Sequence, residues 1–271
     1  MIPQEDIVAW RQIAPWTDDA LVEQDLVLTR ALVEIFGDRT LAEALALRGG
    51  TALHKLFLSP AHRYSEDIDL VQVEAGPIGN IIDRLRARLD AWLGEPARDR
   101  AEGTVTLLYR FESEILPTRR LRLKVEINTR EHFAVFGHIM RPLAVRSRWF
   151  EAHARIRTYP LDELLATKLR ALYQRRRGRD LFDLWDALTR GTVNPRRVVQ
   201  AFQTYLERGG AHVSRAQFER NFARKAHDRV FLREVRTLLA PDVGYDAEEA
   251  VQLIRREFIE RLPGEAWRRL S

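Results

Sequence analysis

The sequence predicts an α+β protein: an α/β half at the N-terminus followed by an all-helical part. Three observations carry this. Residues 121–127 (LRLKVEI) alternate strictly, with Leu121, Leu123, Val125 and Ile127 on one face and Arg122, Lys124 and Glu126 on the other, the pattern of a half-buried strand. Residues 47–70 read as a strand, a Gly49-Gly50 turn, a short helix and a second strand. From Pro160 onward only helical periodicity remains. The expected division is 1–158 and 159–271, with no flexible tether between them.

Helices are expected at 4–14 and 18–36, where Leu21, Leu26, Leu28, Leu32 and Ile35 recur at helical spacing behind Asp18 and Asp19. Thr40 is positioned to cap a short helix through Leu45. Residues 46–48 form a strand into the glycine pair, 51–57 a helix stopped by Ser59-Pro60, and 68–73 a strand. Pro77 starts a helix with Ile78, Ile81, Ile82, Leu85, Leu89 and Trp92 on one side, ended by Gly94-Glu95-Pro96. Strands follow at 104–111 and 121–127, with weaker candidates at 138–146 and 154–158. Beyond Pro160, helices are expected over 161–173, 179–190, 195–207, 214–239, 246–260 and 264–270.

Composition narrows the function. The 271 residues carry a net charge of +5, compatible with a polyanionic partner. Cysteine is absent, which excludes disulfides and thiolate metal sites and fits a reducing cytoplasm. No run is apolar enough to span a membrane, and the opening MIPQEDIVAWRQ lacks a basic region before an apolar core, so no signal peptide is expected. Lysine occurs only at 55, 124, 168 and 225, all other cations being arginine. A lysine at a special position therefore draws attention.

The chemistry concentrates first at 47–70. Asp67 and Asp69, two apart on a strand, project from one face. Paired carboxylates repel unless a cation lies between them, and oxygen-rich pairs are what Mg²⁺ accepts. Gly49 and Gly50 lead into a helix whose backbone N–H groups offer a phosphate cradle. Glu126, on the polar face of its strand, completes a three-carboxylate set if that strand neighbours the Asp67 strand, the arrangement of metal-assisted phosphoryl transfer. Lys168 falls in the middle of the apolar stripe of helix 161–173, where an ammonium has to pair, snorkel or neutralise. Beside a metal–phosphate site it would neutralise a triphosphate.

Arg175, Arg176, Arg177 and Arg179 suit RNA phosphates or a nucleotide tail. Asp180 and Asp183 begin the next helix, and from position alone Asp180 reads as a cap and Asp183 as a partner of the helix dipole. Ser65 reads as a turn hydroxyl. His54 and His62 lack zinc-ligand spacing, no lysine follows the glycines as in a Walker loop, and there is no G-x-S-x-G elbow.

The motifs GGTALHK, RYSEDIDL, KVEIN, DELLATKLRAL and RRGRDLFDL, in this order, resemble the AbiEii/AbiGii and MenT nucleotidyltransferase toxins, a branch of the polymerase-β-like nucleotidyltransferase superfamily. The resemblance spans residues 45 to 190. It implies a polymerase-β-like core, a mixed sheet flanked by helices, using NTP and Mg²⁺. It further implies nucleotide addition to the 3′ acceptor end of tRNA, which blocks aminoacylation and translation, and a cognate antitoxin. The protein is expected in the cytoplasm with no membrane partner; its oligomeric state is left open, with a monomer favoured.

Residue by residue, the resemblance makes Asp67 and Asp69 metal-binding, with Asp67 the more critical. Lys168 matches the catalytic lysine and Asp183 the last essential aspartate, against the capping role that position alone gives it. Gly49, Gly50, Thr51, Ser65 and Arg179 become phosphate-binding positions, Arg175, Arg176 and Arg177 RNA contacts, and Ser65 a hydroxyl whose phosphorylation switches such toxins off. The sequence departs from the wider superfamily in carrying Gly-Gly-Thr where Gly-Ser is common. Two other readings stay open: transfer onto a protein or small molecule, and a binding module without catalysis.

Overall fold

In the computed structural model, which describes residues 2–268, the chain divides into two units between Tyr159 and Pro160. The first is built on a mixed seven-stranded sheet. Its strands are β1 (Leu45–Arg48), β2 (Asp67–Gln72), β3 (Ala97–Ala101), β4 (Thr104–Glu112), β5 (Arg120–Asn128), β6 (Ile139–Arg146) and β7 (Glu151–Thr158). They are ordered β3-β4-β5-β2-β1-β7-β6. The pairs β2–β5 and β1–β7 are parallel and the rest antiparallel.

Strand alternation sorts this sheet into two unlike faces. Leu47, Ile68, Leu70, Leu123, Val125, Ile127, Ala154 and Ile156 are buried on one of them, against the helix α2 (Asp19–Gly37), which touches β2, β5, β6 and β7. Asp18 caps α2, its Oδ1 accepting the Ala20 N–H at 3.0 Å. Being packed on several sides, α2 buries polar residues too: Asp25 accepts from Trp10 Nε1 at 2.8 Å and from Lys55 Nζ at 2.5 Å. The other helices are α1 (Gln4–Trp10), α3 (Arg39–Ala44), α4 (Gly49–Leu56) and α5 (Gly79–Leu93). The opposite face carries Asp67, Asp69, Lys124 and Glu126.

The second unit is helical: α6 (Leu161–Gln174), α7 (Gly178–Arg190), α8 (Pro195–Arg208), α9 (Arg215–Ala226), α10 (Arg229–Arg233) and α11 (Ala247–Glu257), with 3₁₀ turns at Glu234–Leu238 and Ile259–Arg261. Helix α6 packs on α7, α8 and α9.

Three local expectations are corrected. Strand β3 gave no signal because all five of its residues are exposed; it exists by pairing with β4 alone. The single helix over 214–239 is broken, since Asp228 turns its side chain to the Val230 N–H and starts α10 afresh. Residues 264–268 are not helical, and the remainder of that expected helix lies outside the described residues.

Candidate active site

Helix α4 begins immediately after β1, and Gly49 makes the turn with φ +80°. A side chain is excluded there for a second reason: a Cβ on Gly49 would stand 2.0 Å from Asp69 Oδ2. The bare backbone is what lets the Asp69 carboxylate lie against the start of the helix. At Gly50 a Cβ would meet Arg63 Nη2 at 2.4 Å. Arg63 is buried and its Nη1 donates to the Tyr64 carbonyl at 2.7 Å, so a guanidinium is fixed beside the glycine turn.

Thr51 is fully buried, and its Oγ1 donates to the Asp67 carbonyl at 2.5 Å. Its single proton is thereby used, which makes Ser65 Oγ, 2.9 Å away, the donor to Thr51. This chain of hydroxyls ties α4 to the first residue of β2.

The parallel register sets Asp67 opposite Lys124 and Asp69 opposite Glu126. The strands expected to neighbour each other do so, and the three carboxylates share a face. Lys124 Nζ lies 3.4 Å from Asp67 Oδ2 and 3.3 Å from Glu126 Oε2. Burial pushes the Asp67 carboxyl above the usual carboxylate value; Lys124 pulls it back, while Asp69 and Glu66 push with burial. Burial draws Lys124 down, but Asp67 and Glu126 outweigh it and its ammonium is held above the usual value. Arg48, opposite Asp69, pairs with Glu131.

No group of three or more His, Asp and Glu side chains among the described residues is arranged to enclose a metal ion. The donor chemistry nonetheless fits a hard divalent cation: the Asp67–Asp69 pair is all oxygen, and its charge already draws in an ammonium.

In the helical unit, Lys168 is 6% exposed and its Nζ lies 2.7 Å from Asp183 Oδ2 and 3.5 Å from Asp180 Oδ1. Arg175 clamps Asp180 from the other side, Nε to Oδ2 at 2.7 Å and Nη2 to Oδ1 at 2.8 Å. Both aspartates are fully buried, and no side chain caps α7, whose N-cap position is Arg177. The helix-start roles read from position are therefore replaced by a buried ion cluster. Lys168 pairs instead of snorkelling.

The basic turn is also spoken for. Arg176 pairs with Asp228 and Arg177 Nη1 lies 3.7 Å from Glu234 Oε1. Arg179 makes no ion pair among the described residues, although its backbone N–H donates to Glu234 at 3.0 Å.

The model of the family described as nucleotidyl transferase AbiEii toxin, Type IV TA system, matches residues 30–253. The chain belongs to the AbiEii nucleotidyltransferase toxin family. Solved structures share its fold. MenT4, the nucleotidyltransferase toxin Rv2826c of Mycobacterium tuberculosis H37Rv, is similar at 16% identity and a TM-score of 0.64, over 95% of this chain and 90% of that one. JHP933 of Helicobacter pylori is similar at 18% identity and a TM-score of 0.54, over 90% and 95%. No curated protein matches the sequence.

This AbiEii-family chain is accordingly a nucleotidyltransferase toxin, in a family that uses NTP and a divalent metal and whose toxins are paired with an antitoxin. No helix among the described residues is long and apolar enough to cross a membrane. Sequence reasoning missed Arg63 and the part played by Lys124. The usable signal for Lys124 was its position next to Glu126 on an alternating strand; Arg63 gave none.

Proposed function

We propose that this toxin transfers a nucleotide from NTP to the 3′ acceptor end of tRNA in the cytoplasm, in a Mg²⁺-dependent reaction that blocks aminoacylation. The observation that supports it most is the Asp67–Asp69 pair set against the glycine turn at the start of α4. Asp67 and Asp69 would hold Mg²⁺, with Glu126 across the strand pair as a third carboxylate. Bound there, the ion supplies charge neutralisation and polarisation at the α-phosphate.

The chain's own residues do the rest. The N-terminus of α4 binds phosphate oxygens at Gly49, Gly50 and Thr51, with the buried Arg63 guanidinium beside it adding positive charge. The acceptor hydroxyl gives its proton to water as its oxygen bonds the α-phosphorus; the bond from that phosphorus to the bridging oxygen of the β-phosphate breaks, and its electron pair leaves on pyrophosphate. Lys168, held by Asp183, is required for the transfer, and Arg179 offers an unpaired guanidinium to phosphate. Phosphorylation of Ser65 would break its bond to Thr51 and set a dianion beside Asp67 and Asp69, which repels both metal and nucleotide.

The test is incubation of purified protein with tRNA, Mg²⁺ and each labelled NTP. Transfer of label to tRNA that is lost in Asp67→Ala is the expected result. No transfer with any NTP, or transfer indifferent to Asp67→Ala, overturns the proposal.

A further inference from the structure

Arg175, Arg176 and Arg177 are engaged in ion pairs, so a positive surface outside the basic turn is worth seeking. The sheet register points to it. Asp69 pairs with Arg48 on β1, and Leu47, the residue before Arg48, pairs with Thr158 on β7. Directly paired residues share a face and neighbours along a strand alternate. Arg157, Arg155 and His153 therefore lie on the Asp67–Asp69 face, while Ala154, Ile156 and Thr158 are buried on the other.

From strand spacing and rise, the Cα atoms of Arg157 and Arg155 lie about 12 Å and about 16 Å from that of Asp69. On the paired edge strand, Met140, Pro142 and Ala144 oppose Arg157, Arg155 and His153 and are exposed.

Two features of this patch bear on what it could hold. Several arginines of this unit have a carboxylate partner, among them Arg11, Arg39, Arg84, Arg86, Arg119 and Arg122, while Arg98, Arg100, Arg110, Arg120 and Arg146 have no ion pair among the described residues. Arg155 and Arg157 have neither an ion pair nor a side-chain hydrogen bond among the described residues. Protection of a sheet edge does not account for them either, because β7 is paired on both sides, to β1 and β6. Charge is left uncompensated on a strand that has no structural need of it.

We infer that the exposed face of β6–β7, centred on Arg155 and Arg157, is where the backbone of the acceptor RNA docks. The phosphates behind the 3′ end would then run across the sheet from the carboxylates to these arginines. The inference rests on the tRNA reading above. Arginine contacts to phosphate position a nucleic acid without reading its sequence, so the surface would serve any acceptor end of the right shape.

The experiment compares wild type with Arg155→Ala/Arg157→Ala and with the control Arg98→Ala/Arg100→Ala. The control removes equal charge from exposed positions on the opposite face of β3. Affinity for tRNA is measured against salt concentration, and NTP affinity by calorimetry.

The β7 variant should bind tRNA at least tenfold more weakly. Its slope of log affinity on log salt should be shallower by about 1.4, two phosphate contacts at roughly 0.7 each for a single strand. Its NTP affinity and melting temperature should match wild type, and the control should bind tRNA normally. Equal tRNA affinity in wild type and β7 variant, or equal loss in variant and control, overturns the docking surface. Absence of tRNA binding and transfer in the wild type instead overturns the reading on which it rests, and a transfer reaction that survives with the β7 variant unimpaired leaves that reading standing without this surface.

Discussion

The two ionic clusters of this chain are opposites. On the sheet face, Asp67, Asp69 and Glu126 share a single ammonium, Lys124, and all are partly open to solvent. Inside the helical unit, Asp180 and Asp183 meet Lys168 and Arg175, charge for charge, with both carboxylates sealed from water. An exposed surplus of negative charge costs stability and is relieved by a cation from outside; a buried balanced cluster is relieved already and resists change. The first arrangement is built to bind. The second is built to hold one lysine in a fixed place.

Mutation at the first cluster should therefore strike function and spare the fold. Asp67→Ala removes a carboxylate on which several kcal/mol of transition-state charge stabilisation depend, so transfer should fall by roughly a thousandfold or more. Its melting temperature should hold or rise, since a desolvated and repelled charge has gone. A large drop in melting temperature would break the comparison. The second cluster should behave the other way. Asp180→Ala strands Arg175 and Lys168 without their shared partner, and urea unfolding should show a loss of about 3–5 kcal/mol. Loss of activity with full stability would show that Asp180 belongs with the first kind.

How much of this was legible from the sequence follows the same division. The sheet cluster was readable because strand alternation fixes which side chains share a face: Asp67 with Asp69, and Glu126 as the candidate third. The fold class, the strand–turn–helix at Gly49-Gly50 and the change at Pro160 were readable for similar reasons. The helical cluster was not. A helical wheel places Asp183 off the apolar stripe, and nothing in α7 alone says that Lys168 will close over it or that Arg175 will clamp Asp180.

The ion pairs of the basic turn were hidden for the same reason, since partners such as Asp228 and Glu234 lie far along the chain. The scarcity of lysine was the best hint left. Lys55 pairs with Asp25, Lys124 bridges Asp67 and Glu126, Lys168 meets Asp180 and Asp183, and Lys225 reaches two carbonyls. All four occupy special positions.

Lys124 sharpens the contrast at smaller scale. It already lies between Asp67 and Glu126, and it competes with any metal for Asp67. Lys124→Met should tighten Mn²⁺ binding by about tenfold, read by calorimetry, because a like charge some ångströms from the ion is gone. The Asp67 carboxyl, deprived of the group that lowers it, should climb further, so metal binding should fail at a higher pH than in wild type as acid is added. Weaker Mn²⁺ binding at neutral pH would mean that Lys124 orients the carboxylates and does not compete.

The smallest effect concerns Lys225, on α9. Its Nζ donates to the Leu172 and Tyr173 carbonyls (the latter at 2.9 Å), capping the C-terminal end of α6, the helix that carries Lys168. Burial lowers this ammonium to about 8, against an opposing pull from Asp180. A lysine whose folded value lies below its unfolded one binds fewer protons folded than unfolded between the two. Stability contributed by this group therefore rises as pH climbs from about 8 towards its ordinary value near 10.5 and is flat below 8. Unfolding in urea at pH 7.5, 8.5 and 9.5 should show that gain in wild type and its absence in Lys225→Met. If both proteins follow the same curve, the carbonyls at the end of α6 hold the ammonium more firmly than burial loosens it, and the helical cluster is even less yielding than its balanced charges imply.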